Sequence, residues 1–317
     1  MDVLRLTLRQ LQIFAAVARS GSTTAASAGI ALSQSATSSA VNELERLLSL
    51  RLFDRVGKRL LLNDNGRALL PRALAMLDGA AGIEKMAQVG SAQAQALRIG
   101  ASSTIGNYVL PKLLGQFLAS CPQDESAAWR SKVTIGNTEA ICDAVAAFEL
   151  DIGLIEGVCH QASLAVTPWL EDELLIVASP ESALAGLLQA PGGSGRVSAK
   201  ALREVVWLLR EAGSGTREAT DQLLLAQLRS YRRSIELGSS EAIKHAAAEG
   251  LGAACLSQWV VSDLLASGRL SRIRTALPKM LRQCYLVIHR DKQPTPALLD
   301  FMARANARAS PPKLQEP

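Results

Sequence analysis

The spacing of apolar residues changes once along the 317-residue chain, close to residue 90, and this change limits the possible folds. Before it, apolar residues recur every three or four positions, as in amphipathic helices. After it, short apolar runs that suit strands alternate with helical segments, which is typical of α/β units around mostly parallel sheets. Among them, strands are predicted at 173–178 and 285–289, a helix at 105–119, and a surface loop at 187–198. We therefore expect a helical N-terminal part and a larger α/β part. The length agrees, because it suits two or three domains of roughly 100–200 residues or less.

Three short helices and a two-stranded wing are predicted at the N-terminus. The predicted helices are Thr7–Arg19, Thr23 to about Ile30, and Gln34 to about Leu48. Thr7 and Gln10 form a capping-box pattern, the pair Gly21-Ser22 breaks the first helix, and Ser33 is placed to cap the third. Two short apolar runs around Gly57 then predict a β-wing. The result is a helix-turn-helix followed by a wing.

The third helix and the wing together predict a surface that reads double-stranded DNA. A helix of this size fits the major groove, and short polar side chains near its N-terminus can reach base edges. A polar helix face is more often only a solvated surface, but the basic wing lies where a phosphate backbone would run beside the helix. The predicted DNA-contacting residues are Ser33, Gln34, Ser35, Ser38, Ser39, Asn42, Arg55, Lys58 and Arg59.

A long helix from Asn63 to about Val89 is predicted after the wing. Its apolar residues alternate by four and three positions, as in the seam of a coiled coil; they are Leu69, Ala73, Met76, Ala80, Ile83 and Ala87. Such a helix is expected to pair with a second copy of the chain. Pro71 removes one backbone hydrogen bond and is expected to kink the helix near its start.

Composition narrows the function classes. The net charge of +5 permits a polyanionic partner without requiring one. The five cysteines are scattered and the three histidines lie far apart, so we expect reduced thiols and neither a metal site nor a cofactor. No nucleophile-elbow serine is present, and the loop 210–217 lacks the Gly-Lys-Ser/Thr ending of a phosphate loop, so an enzyme is not expected. Without a signal peptide or a long apolar run, the protein is expected in the cytoplasm, away from membranes.

The N-terminal residues resemble the signature of the LysR-type transcriptional regulators. The resemblance is carried by Leu32-Ser33-Gln34-Ser35-Ala36 and Leu52-Phe53-Asp54-Arg55, among others in the first 75 residues or so. It continues more loosely through Ile105-Gly106-Asn107-Tyr108, Asp151–Gly157 and Gly250-Leu251-Gly252. Ser35 stands where the family usually has proline, and Ser39 stands where it usually has arginine. A serine-rich reading helix makes fewer charge-assisted contacts, so we predict that the wing supplies more of the DNA affinity.

The resemblance implies a fold, an assembly and partners. It implies a winged helix-turn-helix over 1–65, a linker and dimerisation helix over 66–94, and a two-lobed α/β effector-binding domain over 95–317 that resembles periplasmic binding proteins. Lobe I would comprise about 95–166 and 269–317, and lobe II about 167–268. A homodimer or homotetramer, contact with RNA polymerase, and a small-molecule effector bound between the lobes are also implied.

Candidate effector-binding residues follow the strands of the C-terminal part. They are Ser102, Ser103, Thr104, Asn137, Thr138, Glu156, Arg210, Thr216 and Ser239. Hydroxyls and free backbone N–H groups at helix N-termini hold carboxylate, phosphate or sulfate-like anions. Ser102 or Ser103 could equally serve only as a helix cap, and Glu156 could be a surface carboxylate. An anionic effector is therefore the expectation.

Two functions remain open from the sequence alone. The first is a sequence-specific DNA-binding transcriptional regulator whose activity responds to a small, anionic effector. The alternative is a solute-binding protein with an unrelated N-terminal helical appendage, since the C-terminal part resembles a periplasmic binding fold. The intact reading helix and the missing signal peptide favour the regulator. A salt-dependent gel shift would separate the two.

Overall fold

The computed structural model describes residues 5–57, 59–87, 97–119, 131–189 and 195–307. The N-terminal elements are α1 (Leu8–Ser20), α2 (Thr23–Gly29), α3 (Gln34–Leu48), β1 (Phe53–Val56), β2 (Arg59–Leu62) and α4 (Asp64–Ala87). The three predicted helices and the antiparallel wing are confirmed, although Lys58 at the tip of the wing lies outside the described residues. None of the described helices combines the length and the apolar character needed to cross a bilayer.

A small apolar core holds the N-terminal elements together. Leu11, Phe14 and Val17 of α1 pack with Leu44 of α3 and with the start of the wing, where the rings of Phe14 and Phe53 lie 5.5 Å apart. The capping box of Thr7 and Gln10 is formed as predicted. Because this core draws on both the helices and the wing, it fixes the wing relative to α3.

The predicted apolar seam of the linker helix α4 is only partly free to contact a second copy. Ala73 is buried against the chain's own N-terminal core, and Leu69 packs there too, so these two of the six seam residues are not available to a second copy. Met76 and Ile83 are 50% and 70% exposed. Pro71 lies in the second turn of one continuous helix, where it costs a single backbone hydrogen bond.

The C-terminal part is built on one continuous sheet. Its strands are β3 (Arg98–Ser102), β4 (Lys132–Gly136), β5 (Ile152–Glu156), β6 (Leu164–Ala178), β7 (Val206–Leu209), β8 (Arg233–Glu236), β9 (Ala253–Ser257), β10 (Ser271–Arg272) and β11 (Met280–His289). Its helices are α5 (Ser103–Tyr108), α6 (Leu110–Ala119), α7 (Thr138–Ala146), α8 (Ala183–Gln189), α9 (Ala199–Arg203), α10 (Gly215–Leu228), α11 (Ser240–Ala248), α12 (Gln258–Ala266) and α13 (Pro296–Asn306). The strand order is β4-β3-β5-β11-β6-β9-β7-β8, and β10 pairs with β6.

Two long antiparallel strands join two α/β lobes. Strands β3, β4 and β5 pair in parallel in lobe I, and β7, β8 and β9 pair in parallel in lobe II. Between them, β6 and β11 run antiparallel through both lobes, as crossover strands. The structure therefore has the predicted two-lobed α/β architecture.

Four segments differ from their sequence prediction. The single helix expected at 105–119 is two helices that meet at Val109, because Pro111 lacks the N–H that a continuous helix needs and fits only its first turn. The strand expected at 173–178 begins at Leu164, and the one expected at 285–289 begins at Met280. The segment 187–198, expected to be a loop, begins with the last turn of α8.

A cluster of charges ties the linker helix to lobe I. Asp78 of α4 accepts from Arg98 at 3.2 Å and from Lys292 at 2.8 Å. The same two cations bind Asp151, at 2.6 and 2.7 Å respectively. Burial alone would raise the pKa of Asp151, but hydrogen bonds from Arg98 and Lys292 outweigh it and lower the pKa to about 2. The carboxylate therefore stays ionised, and the cluster holds α4 against lobe I.

Candidate functional sites

The predicted reading residues lie at the N-terminus and along one face of α3. Ser33 caps the helix, since its Oγ accepts from the amide of Ala36 at 3.1 Å, and it also lies 3.0 Å from the Ser35 hydroxyl. Gln34 donates from Nε2 to the hydroxyl of Thr23 at 3.2 Å. The other members of the face are Ser38, which is half-buried, and the exposed Ser39 and Asn42. The helix thus presents a polar surface without an arginine at its N-terminal end.

A groove joins this face to the wing. It has a volume of about 450 Å³, and Ser38 and Asn42 line it from α3 while Arg55 lines it from β1. Arg59 is also exposed on the wing, one residue pair further along the hairpin. Ser38 and Asn42 of the predicted reading helix and Arg55 of the predicted wing therefore share one surface.

Most of the predicted effector residues fall into two groups at the carboxyl ends of the strands. One, here the Arg210 cluster, consists of Ser103, Asn137, Arg210, Glu211 and Ser240. The other, here the Glu156 contact, consists of Ser102, Thr138, Glu156, Gly157 and Gly215. Thr104, Thr216 and Ser239 belong to neither group. The structure therefore does not bring all nine predicted residues to one point.

The Arg210 cluster has a buried guanidinium at its centre. Arg210 is 3% exposed, and its Nη1 donates to Ser240 at 2.8 Å. Its Nε and Nη2 donate to the two carboxylate oxygens of Glu211 at 2.7 and 2.8 Å. From lobe I, Asn137 Nδ2 donates to Glu211 at 3.3 Å, and the Ser103 hydroxyl lies 3.5 Å from Arg210 Nη2. Donors from both lobes therefore converge on one carboxylate.

The charge of Glu211 is stabilised within this cluster. Burial would raise the pKa of Glu211, but hydrogen bonds from Arg210 and its other neighbours lower the pKa below its ordinary value. Arg210 and Glu211 form an ion pair, with Nε of Arg210 2.7 Å from a carboxylate oxygen of Glu211. Arg210 and Asn137 were predicted to bind the effector. Glu211 and Ser240 were missed, because they join the cluster only through the conformation of the Arg210 side chain, which the sequence does not show.

The Glu156 contact packs the lobes against each other. The Ser102 hydroxyl donates to the buried Glu156 carboxylate, and the Thr138 hydroxyl donates to the Glu156 carbonyl at 2.8 Å. From lobe II, the amide of Gly215 donates to Thr138 Oγ1 at 3.2 Å. A Cβ atom at Gly215 would overlap the Glu156 carbonyl oxygen, so only glycine permits this approach. Ser102, Thr138 and Glu156 are thus engaged with one another.

The remaining predicted residues have individual environments. Thr216 accepts from Nη1 of Arg282 at 2.8 Å, and Arg282 forms a buried ion pair with Asp172 at 2.7 Å. Ser239 caps α11, with its Oγ accepting from the amide of Ala242. Thr104 is 1% exposed, and its hydroxyl has no hydrogen-bond partner among the described residues. Thr216 and Ser239 therefore stabilise the fold around the cleft.

Sequence reasoning missed a second contact between the lobes. The Tyr108 hydroxyl of lobe I donates to Glu241 of lobe II, and Lys244 donates to the same hydroxyl at 3.3 Å. Burial and the adjacent Glu241 raise the pKa of Tyr108 to about 12, so the phenol stays protonated. Lys244 is itself only 3% exposed and also pairs with Asp263 at 3.2 Å. The residue pattern of α11 does not show that Lys244 is buried or that it contacts Tyr108.

An acidic cavity of about 500 Å³ opens at the other edge of the lobe contact. Of the predicted effector residues, only Thr138 lines it. Its carboxylates come from both lobes and include Glu139, Asp143, Glu218 and Asp221. Arg217 also lines the cavity, but its Nε already pairs with Asp221 at 2.8 Å, so the lining disfavours an anion despite the volume of the cavity. The Arg210 cluster instead has a buried guanidinium at its centre.

Four of the cysteines are free thiols: Cys142, Cys159, Cys255 and Cys284. Cys121 lies outside the described residues. Cys142 and Cys159 are 17 positions apart in the sequence, yet their side chains are in contact, and burial together with this contact raises the pKa of Cys142. No cluster of three metal-ligating side chains occurs in the described ranges.

Two family models together match most of the chain. Residues 8–67 match the bacterial regulatory helix-turn-helix protein of the lysR family, and residues 90–310 match the LysR substrate binding domain. The uncharacterized HTH-type transcriptional regulator YeiE of Escherichia coli K12 is 46% identical over 299 residues, covering 94% of this chain and 97% of its own. The similarity to this relative thus spans both the helix-turn-helix and the α/β part.

Solved structures give the same picture of the fold. Full-length OxyR from Pseudomonas aeruginosa is 23% identical, with a TM-score of 0.67 over 97% of each chain. The regulatory domain of CcmR from Synechocystis PCC6803, solved in complex with 2-PG, is 27% identical, with a TM-score of 0.57. That likeness covers 67% of this chain and 96% of the CcmR domain. The fold of the C-terminal part is therefore shared with a regulatory domain that was solved in complex with 2-PG.

Proposed function

The chain belongs to the LysR family of bacterial transcriptional regulators, and we propose that a small oxyanion bound at the Arg210 cluster controls how it binds its operator. The protein is a DNA-binding regulator with an effector-binding domain. The match of residues 8–67 to a helix-turn-helix of this family speaks against the alternative of an unrelated N-terminal appendage.

The observation that carries the effector assignment is the convergence of donors from both lobes on one oxyanion position. Asn137 of lobe I and Arg210 of lobe II both donate to the same carboxylate, and Ser103 and Ser240 adjoin the guanidinium. A guanidinium that is 3% exposed interacts with an anion far more strongly than one in water. The relative CcmR is a precedent, since its regulatory domain binds 2-PG, a small anion.

DNA binding is proposed to use the groove between α3 and the wing. Gln34, Ser35, Ser38, Ser39 and Asn42 would read base edges, with Ser33 capping the helix. Arg55 and Arg59, together with Lys58, would contact phosphates beside the helix. Arg46 lies on the outer face of α3 but already forms hydrogen bonds to Glu43 at 2.6 and 2.8 Å. The wing therefore supplies the free cations of this surface among the described residues 33–62.

Assembly and further partners follow from family membership. We propose that the exposed part of α4 with Met76 and Ile83 pairs with a second copy to give a dimer, and that two dimers form a tetramer. Contact with RNA polymerase at the regulated promoter is also proposed. A regulator of this kind acts where the DNA is, so the proposed location is the cytoplasm.

The DNA-binding proposal is tested by gel shift on the protein's own upstream region over a range of salt concentrations. The double variant Arg55→Ala/Arg59→Ala should bind more weakly at every sequence, and its salt slope should fall by about two, one for each lost phosphate contact. The control is Arg203→Ala/Arg232→Ala, which removes the same charge from lobe II. An unchanged slope in the wing variant contradicts the proposal.

The effector proposal is tested by screening small anions for a change in operator affinity. Arg210→Met should abolish the response to an active anion and leave operator binding without the anion intact. Arg232→Met is the matched control, because Arg232 also pairs with a carboxylate of lobe II but is exposed. If Arg210→Met keeps the full response, the effector binds elsewhere.

A further inference from the structure

Arg210 already holds a carboxylate of the chain itself. Glu211 accepts from Nε and Nη2 of Arg210 through its two different oxygens, at 2.7 and 2.8 Å. This is the bidentate geometry in which guanidinium groups bind carboxylate ligands. Asn137 adds a third donor from the opposite lobe, at 3.3 Å. The donors assigned above to an effector oxyanion are thus saturated by a side chain.

The position of Glu211 allows it to leave without rearranging the backbone. Its side chain is 26% exposed, whereas that of Arg210 is 2% exposed. The carbonyl of Glu211 is fixed by the amide of Ser214 at 3.3 Å, so rotation about side-chain bonds is enough to withdraw the carboxylate. Arg210 stays in place, because Ser240 holds Nη1 at 2.8 Å and burial restricts the guanidinium.

We propose that Glu211 is an internal competitor of the effector: its carboxylate occupies the oxyanion position of the Arg210 cluster, and an effector oxyanion binds by displacing it. The inference rests on the proposed function, because it takes the Arg210 cluster as the effector site. One guanidinium edge cannot hold two anions, since like charges at this distance repel each other strongly. Exchange of one anion for another keeps the cluster neutral, so a ligand without negative charge does not replace Glu211.

The competition sets the affinity and the selectivity of the site. An oxyanion that displaces Glu211 must accept hydrogen bonds from Arg210 and Asn137 at least as well as the Glu211 carboxylate does. Weak acceptors such as chloride are therefore excluded from the site. Removing the carboxylate should therefore open the site to simple oxyanions that the natural chain binds poorly. This consequence is measurable without knowing the natural effector.

The test uses full-length protein and three probes: acetate, inorganic phosphate and sulfate. Thermal unfolding is followed at constant ionic strength, with chloride as the baseline. Glu211→Ala should show a rise in Tm with at least one of the three oxyanions, because the internal acceptor is gone. The apparent Kd of the variant for that oxyanion should be on the order of tenfold lower than that of the natural chain. Glu211→Gln, which keeps the shape of the side chain without its charge, should show a smaller gain.

The matched control is Glu204→Ala. Glu204 also binds an arginine of lobe II, Arg232, through both carboxylate oxygens at 2.7 Å, but this pair is exposed. The control should bind the probes no better than the natural chain. The double variant Arg210→Gln/Glu211→Ala should lose the gain, which shows that the new binding is at the guanidinium.

The inference is overturned if both Glu211 variants bind all three probes no better than the natural chain does. Its failure can be distinguished from failure of the proposed function. If Glu211→Ala gains oxyanion binding through Arg210 but no anion changes operator affinity in any variant, Glu211 occupies an anion site that is not the effector site. If an anion controls operator affinity through Arg210 and the Glu211 variants gain nothing, the effector site stands and the competition does not exist.

Discussion

Gly215→Ala tests whether the two lobes are held together by the Glu156 contact. The new Cβ would overlap the Glu156 carbonyl oxygen and lie 2.7 Å from Thr138 Oγ1, where real Cβ contacts stay above 3.0 Å. A backbone carbonyl at the end of β5 cannot turn away, so the lobes must separate at this point. Two hydrogen bonds between the lobes depend on the approach: the Gly215 amide to Thr138 at 3.2 Å, and the Glu139 amide to the Gly213 carbonyl at 3.1 Å.

The size of the effect follows from these two hydrogen bonds. Each contributes about 1 kcal/mol net, so their loss weakens lobe closure by about 2 kcal/mol. This corresponds to a factor of about 30 in the closing equilibrium. Because the donors are backbone amides, hydrogen exchange measures the effect directly, and the amides at positions 139 and 215 should exchange about 30-fold faster.

The control for this variant is Gly238→Ala. Gly238 follows β8 in lobe II, and a Cβ atom there meets nothing within 4 Å. Amides of β9, in the core of lobe II, should keep their protection in both variants. If the amides at 139 and 215 exchange in Gly215→Ala at the rate of the natural chain, the reasoning about a glycine-dependent contact is refuted.

Three further changes test the parts of the structure that support the sites. Ser33→Ala removes the cap of α3 and should cost about 1 kcal/mol of N-terminal domain stability in urea unfolding, with weaker operator binding; an unchanged midpoint would show that the cap is dispensable. The pKa of Asp151 is lowered on folding, to about 2, so its contribution to stability, about 2 kcal/mol, is present above the unfolded pKa near 4 and is lost as pH falls from about 4 to about 2. Asp151→Asn should therefore be less stable than the natural chain at pH 6 and should lose less stability between about pH 4 and pH 2. If its stability falls with pH as that of the natural chain does, the prediction is contradicted. Arg282→Met leaves the buried Asp172 without its cation and should destabilise lobe II by about 3–5 kcal/mol, and replacing Asp172 with Leu as well should recover part of the loss.

Features determined by neighbouring residues were predicted correctly from the sequence. Helix α3 and its Ser33 cap follow from a polar capping residue and from apolar residues at helical spacing, and both are local. Ser103, Asn137 and Arg210 are far apart in the sequence, but their convergence was still predictable because the carboxyl ends of parallel strands meet at one edge of a sheet. The other six predicted effector residues do not join them.

Features determined by distant residues could not be predicted. The full length of β6 was missed because Pro168 argues against an interior strand; it is accommodated where the pairing with β11 is irregular, between Gln283 and Tyr285. Arg282 is buried on β11, although a charged residue in a strand is expected to face solvent. Its burial depends on Asp172, which is 110 positions away in the sequence. The hydrogen bond from Ser102 to Glu156 depends in the same way on the packing of two separate strands.

Two strands of lobe I begin at the linker helix and end at the cleft. Strand β3 starts at Arg98, which binds Asp78 of α4, and ends beside Ser103 of the Arg210 cluster. Strand β5 follows Asp151, in the same charge cluster, and ends at Glu156. Each strand spans about 17 Å, and its backbone is hydrogen-bonded to its neighbours in the sheet. The charge cluster of Asp78, Arg98, Asp151 and Lys292 therefore lies at one end of two strands whose other ends reach the cleft, and it joins both strands to the helix that carries the DNA-binding domain.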